Sequence, residues 1–244
     1  MKTENDTVVK KWMGHRSLRS CRDFLSYLTD QTHATRNHAE KKHMADPILP
    51  AFWRYAKEGE IIGRLLAGYA ELEFELGLCL GLVLGDRDAG LRVMFRERGE
   101  ERRIRKADKQ MRPAYESAGL LEAYSAAIDD FGWCKRTRNR YAHCHWYDTR
   151  EEGLCFLDLE DWAKGETSLE FKKYRLNVPL LEQQEAYFRY VQMALWHLFE
   201  KFEETADGQC PLRGRPRSLW ELPKKLDRPA DHNGVVTDVK RPIV

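Results

Sequence analysis

The stretch "RTRNRYAHCHW", Arg136 to Trp146, places three arginines, one asparagine and two histidines within ten positions and contains no acid. A solvated helix face normally mixes the two signs of charge, and this one does not. Arginine is always charged and offers a planar fork of donors suited to a phosphate. Histidine exchanges a proton near neutral pH, and an asparagine can orient either a ring nitrogen or a phosphate oxygen. Arg138, Asn139 and His143 are therefore the candidate chemical set. Such groups could activate an RNA 2′-hydroxyl against its neighbouring phosphate without a metal.

The element that must position them is a helix. Leu121, Tyr124, Ala127, Ile128, Phe131 and Cys134 recur at helical spacing and predict a helix from Leu120 to about His145. Extending that stripe at about 100° per residue puts Arg138 two turns beyond Phe131 and almost in line with it. An arginine stands where the next core residue is expected. Asn139 and His143 are neighbours at i, i+4, whereas Arg138 and His143 differ by about 140° in direction, so only a frayed or kinked helix end aims both at one point. The same cations also suit a helix C-terminus simply because they complement the macrodipole.

"RNRYAH", Arg138 to His143, resembles the motif of the HEPN superfamily, in which an arginine, usually followed by a polar residue, precedes a histidine near the end of a bundle helix. The direct match covers six positions, and long helices on both sides extend it loosely over residues 50–205. The resemblance implies an all-α, up-and-down bundle that forms a homodimer and brings two Arg/His motifs to a shared cleft. Many such proteins are metal-independent endoribonucleases, often toxins or defence effectors with a cognate antitoxin; others bind RNA, a nucleotide or a protein partner without catalysis. It assigns His143 as general base or acid, Arg138 as the phosphate contact and Asn139 as the polar orienter, and it calls for no cofactor. Cys144 stands where a glycine often follows the histidine.

Other basic residues fall into a supporting role. Arg136 and Arg140 flank Arg138 as RNA contacts. Arg102, Arg103 and Arg105 lie within Glu100 to Tyr115, which reads either as a solvated helix surface or as a phosphate-facing patch. Glu71, Glu73 and Glu75 precede the apolar run "GLCLGLVLG" and could set one carboxylate near the motif across the bundle, or could form a solvated face. Arg36 and His43 echo the Arg/His pairing without an apolar stripe to position them. His143, Cys144 and His145 diverge on a helix, and no second cluster completes a metal site. No glycine-rich phosphate loop or nucleophile elbow is present.

Around the motif, the pattern predicts a long helix from Pro50 to about Leu84, a stop at Gly85, and a shorter helix from Ala89 to Arg98. After a connection from Trp146 to Glu152, "GLCFLDLEDW" and "SLEFKKYRLN" alternate and predict a short β-hairpin, Leu154–Leu159 with Leu169–Leu176. Pro179 opens a last long helix reaching Glu204. The expected organisation is a polar extension over residues 1–46, a helical domain over 47–207 with the hairpin inserted before its last helix, and a tail over 208–244. Five prolines make that tail extended or disordered. Met44 opens the first strong apolar pattern, and translation starting there is one expectation.

The net charge of +2 and pI near 8.2 do not by themselves mark a nucleic-acid protein, so any basic character has to be local. Six scattered cysteines without a Cys-x-x-Cys pair suit a reducing, cytoplasmic compartment. The longest apolar run is far short of the roughly 20 residues that span a bilayer, and the N-terminus lacks the apolar centre of a secretory signal.

Overall fold

The structure is a computed structural model that describes residues 49–149, 152–159, 172–207 and 222–237. The predicted N-terminal extension, with Met44 and the Arg36/His43 pair, lies outside the described residues, as does the segment around "AKGET". The described residues form six helices and one four-stranded antiparallel sheet. The fold is mainly α.

Helix α1 (Pro50–Arg54) is a single short piece before the long helix α2 (Ala56–Leu84). The expected continuous helix is thus interrupted at Tyr55. In α2, Ile61, Ile62, Leu65, Tyr69, Leu72, Leu76 and Leu80 are all buried, the spacing that gives a helix one apolar face. Gly85 ends it in the left-handed conformation at φ 65°, with its N–H turned back to Gly81 and Leu82 carbonyls. Asp86 then caps α3 (Arg87–Arg96) by accepting from the Asp88 and Ala89 amides.

Helices α4 (Glu100–Ser117), α5 (Leu121–His143) and α6 (Val178–Asp207) complete the bundle. Their directions follow from their side-chain pairs. Glu73 of α2 meets Arg103 of α4, and Arg64 of α2 meets Glu185 of α6, while Cys79 reaches the Leu195 carbonyl. Helices α2, α4 and α6 therefore run the same way. Asn139 reaches Glu100 whereas Tyr124 stacks on Tyr115, and Tyr141 meets Gln184 whereas Trp133 meets Phe188 farther along α6. Helix α5 runs against its neighbours α2, α4 and α6.

Directly after His143 the backbone turns extended at Cys144, φ −88° and ψ 163°, and becomes β1 (Cys144–Thr149). It pairs with β2 (Gly153–Asp158), which pairs with β3 (Lys172–Leu176) in the register Leu154 opposite Leu176. The expected pairing of these two later strands is present; β1 was expected to be a connection. Its Trp146 and Tyr147 are buried, and Trp146, Phe156, Tyr141 and Phe52 form one aromatic cluster joining sheet to helices. The gain from burying those rings is what draws the segment into the sheet.

Within the expected tail, residues 222–237 are extended, as the prolines require, yet they are tied to the domain and end in β4 (Val235–Thr237), paired with β3. The helical domain thus includes part of what reads in sequence as a proline-containing appendage.

Candidate functional site

Arg138 continues the buried stripe of α5, and its guanidinium lies over the Tyr69 ring at 5.2 Å from the centroid. Its Nη1 donates to Asn139 Oδ1 at 2.6 Å, and Asn139 Nδ2 donates to Glu100 Oε2 at 3.0 Å. Behind them Arg103 of α4 forms an ion pair with Glu73 of α2, a carboxylate only 5% exposed. Three helices thus bring one polar seam to Arg138.

Electrostatics make this seam costly unless its members hold one another. Burial lifts the Glu73 carboxyl above its ordinary value even though Arg103 and Arg138 pull it down. Burial also pushes the Tyr69 hydroxyl up, and the neighbouring Glu100 adds to that shift. Tyr69 Oη, Glu100 Oε1 and Arg103 Nε complete no hydrogen bond of good geometry among the described residues. The seam fixes Arg138 between the helices.

His143 is placed differently. It is the last residue of α5 and is exposed. The helix neither frays nor kinks before it, so Arg138 and His143 keep the divergent directions of a regular helix. No hydrogen bond or ring contact joins them within one chain among the described residues.

The other predicted contacts separate. Arg136 is exposed on α5. Arg140 is engaged by Asp231 of the tail at 2.9 Å and by Asp158 of β2 at 3.6 Å. Arg102 is exposed and pairs loosely with Glu97 at 3.8 Å, and Arg105 is exposed. Arg103 instead faces inward to Glu73, because one further residue rotates it about 100° around α4. Arg102, Arg103 and Arg105 are therefore not one patch.

Cys144 and His145 both lie on β1. The Cys144 thiol contacts the Tyr141 carbonyl at 3.5 Å and is raised by burial; the His145 ring packs edge-on to Tyr147 at 4.6 Å and is lowered by burial. Among the described residues no three His, Cys, Asp or Glu side chains gather to hold a metal ion.

Sequence reasoning named Glu73 among three acids and missed Tyr69 and Glu100 as Arg138's surroundings. Their only signal was an acid in the first turn of α4 and an aromatic in the α2 stripe. It missed Asp231 entirely. Compared with family models, with curated proteins and with solved structures, the chain gives no match. No helix among the described residues is long and apolar enough to cross a membrane.

Proposed function

We propose that this is a HEPN-like protein that cleaves RNA by metal-independent acid–base chemistry at a site built on Arg138, Asn139 and His143. The observation that carries the reading is the treatment of Arg138: an arginine on the core stripe, stacked on Tyr69 and oriented through Asn139 and Glu100. A residue serving only the helix dipole needs no such seam. In the proposed reaction the His143 imidazole takes the proton of a ribose 2′-hydroxyl, and the 2′-oxygen attacks the adjacent phosphorus. The bond from phosphorus to the 5′-oxygen breaks, that oxygen takes a proton from water or from a protonated His143 imidazole, and a cyclic phosphate remains. Arg138 neutralises charge that builds on the phosphate oxygens.

Because Arg138 and His143 diverge within one chain, the reading includes a homodimer in which two copies of α5 face a common cleft. Cys79, Cys134, Cys144 and Cys155 carry free thiols, which suits the reducing cytoplasmic compartment of the proposal. A toxin or defence role with a cognate antitoxin follows from the family resemblance alone.

The test is incubation of the purified chain with mixed RNA in EDTA beside His143→Ala and Arg138→Ala. Cleavage by the native chain, reduced about 100-fold or more in each variant, is the expected result. Equal cleavage by all three sinks the assignment. A second reading is a non-catalytic module that binds RNA, a nucleotide or a protein partner, favoured by the same divergence of Arg138 and His143; RNA retention without cleavage by any of the three selects RNA binding.

A further inference from the structure

The basic residues of α4 do not act together, and this division points to a second site. Arg103 turns to Glu73, while Arg112 is held by Asp108 and Ser125. Arg102 and Lys106, one turn apart, face the other way toward α3. There, with Arg92, Arg96 and Arg98, they line a cavity of about 590 Å³ that is a shallow depression wide open to solvent. Five cations thus meet around one open space.

The compensation is thin. Among the described residues Glu97 is the only acid in the lining, and it reaches Arg102 at 3.8 Å and Lys106 at 3.6 Å. Arg92 makes a loose pair with exposed Asp88 at 3.4 Å. Arg96 and Arg98 have no hydrogen bond or ion pair among the described residues, and both are exposed. Like charges gathered in a concave space raise the local potential and concentrate an anionic ligand. Apart from the arginine and lysine stems, Val93 supplies the apolar lining, and among the described residues no aromatic ring lines the space, exposed Phe95 of α3 lying outside that lining. The chemistry fits phosphate groups and lacks the means to read bases.

We propose that the cavity between α3 and α4, lined by Arg92, Arg96, Arg98, Arg102 and Lys106, docks consecutive backbone phosphates of single-stranded RNA without sequence preference. The proposal takes its ligand from the RNA reading above and does not depend on catalysis. Helix α4 connects the two places: Glu100 and Arg103 face the Arg138 seam, and Arg102 and Lys106 face the cavity. The two sites therefore sit about one helix diameter apart, roughly 10 Å.

The experiment measures binding of short labelled oligouridine and oligoadenosine to the full chain carrying His143→Ala, across roughly 50 to 200 mM salt. It compares that protein with one also carrying Arg96→Gln, Arg98→Gln and Arg102→Gln, and with a charge-matched control carrying Lys57→Gln, Arg189→Gln and Lys224→Gln. Thermal melts establish that all three are folded. Both oligonucleotides should bind alike, and loss of three phosphate contacts should flatten the slope of log K against log salt by about 2, with the control unchanged. An unchanged slope in the cavity variant, or an equal change in the control, overturns the proposal. So does displacement of RNA by stoichiometric tripolyphosphate, which assigns the cavity to a small polyphosphate. No cleavage by the native chain in EDTA, with the salt effect intact, removes the catalytic reading alone; cleavage by the native chain without the salt effect removes this one alone.

Discussion

A single side chain can report the cost of its own burial. His145 sits half-buried on β1, and burial holds its pKa below the ordinary 6.5. Below that value the unfolded chain binds a proton that the folded chain resists, so stability is fully present above about 6.5 and is lost as pH falls through the folded value. Thermal melts between about pH 7 and pH 5 should show a smaller acid-side loss in His145→Phe than in the native chain. Glu73, lifted by burial, acts in the opposite sense, so the difference between the two proteins isolates the histidine. An identical acid-side loss in both rejects this account. At this scale Arg138 was the legible residue, because seven positions after Phe131 is a spacing that sequence displays. Tyr69 and Glu100 were not, since no periodicity links α2 or α4 to a particular position on α5.

At the scale of elements, helix stripes were legible and their interruptions less so. The stop at Gly85 and the restart at Asp86 follow from local chemistry that a sequence carries. Strand β1 does not, because its stability comes from Trp146 and Tyr147 finding the aromatic rings of other elements and from pairing with β2. The packing of α3 on α2 depends on two glycines no pattern singles out. A Cβ on Gly90 would lie 2.3 Å from the Gly81 nitrogen, against backbone that cannot swing aside. Gly90→Ala should therefore destabilise the chain by about 1 to 3 kcal/mol or more, read as a lower urea midpoint. A midpoint equal to the native one means the two helices are not held at this spacing. The same change would also deform the cavity wall that α3 contributes.

For the whole molecule, the packed tail is the part least visible in sequence. Its prolines correctly exclude a helix, but exclusion says nothing of where an extended segment docks. Arg228 donates to Asp130, which is only 3% exposed, and to Asp129, while Tyr187 also donates to Asp130. Gln184, fully buried, accepts from Tyr141 and donates to the Ala230 carbonyl. Asp231 then closes on Arg140, and the His232 ring packs tilted against Tyr174 at 4.7 Å. Arg228→Ala leaves Tyr187 as partner to a buried carboxylate and should destabilise by about 1 to 2 kcal/mol, the partial exposure of Arg228 screening the pair. Limited proteolysis should then cut within residues 222–237 before the helices; cutting at the native rate would show that the clamp does not hold the segment.

The position of that segment along the chain has a temporal consequence. Asp130 and Arg228 are separated by 98 residues, and the tail's landing surface includes α5, α6 and β3. A growing polypeptide completes the motif helix long before it synthesises the residues that latch over it. Arg140 therefore passes through a period of synthesis in which its later partner Asp231 does not yet exist. Docking of the tail becomes a record that bundle and sheet have both assembled, and a nascent chain halted before residue 222 would leave Arg140 with Asp158 as its acidic partner and without Asp231.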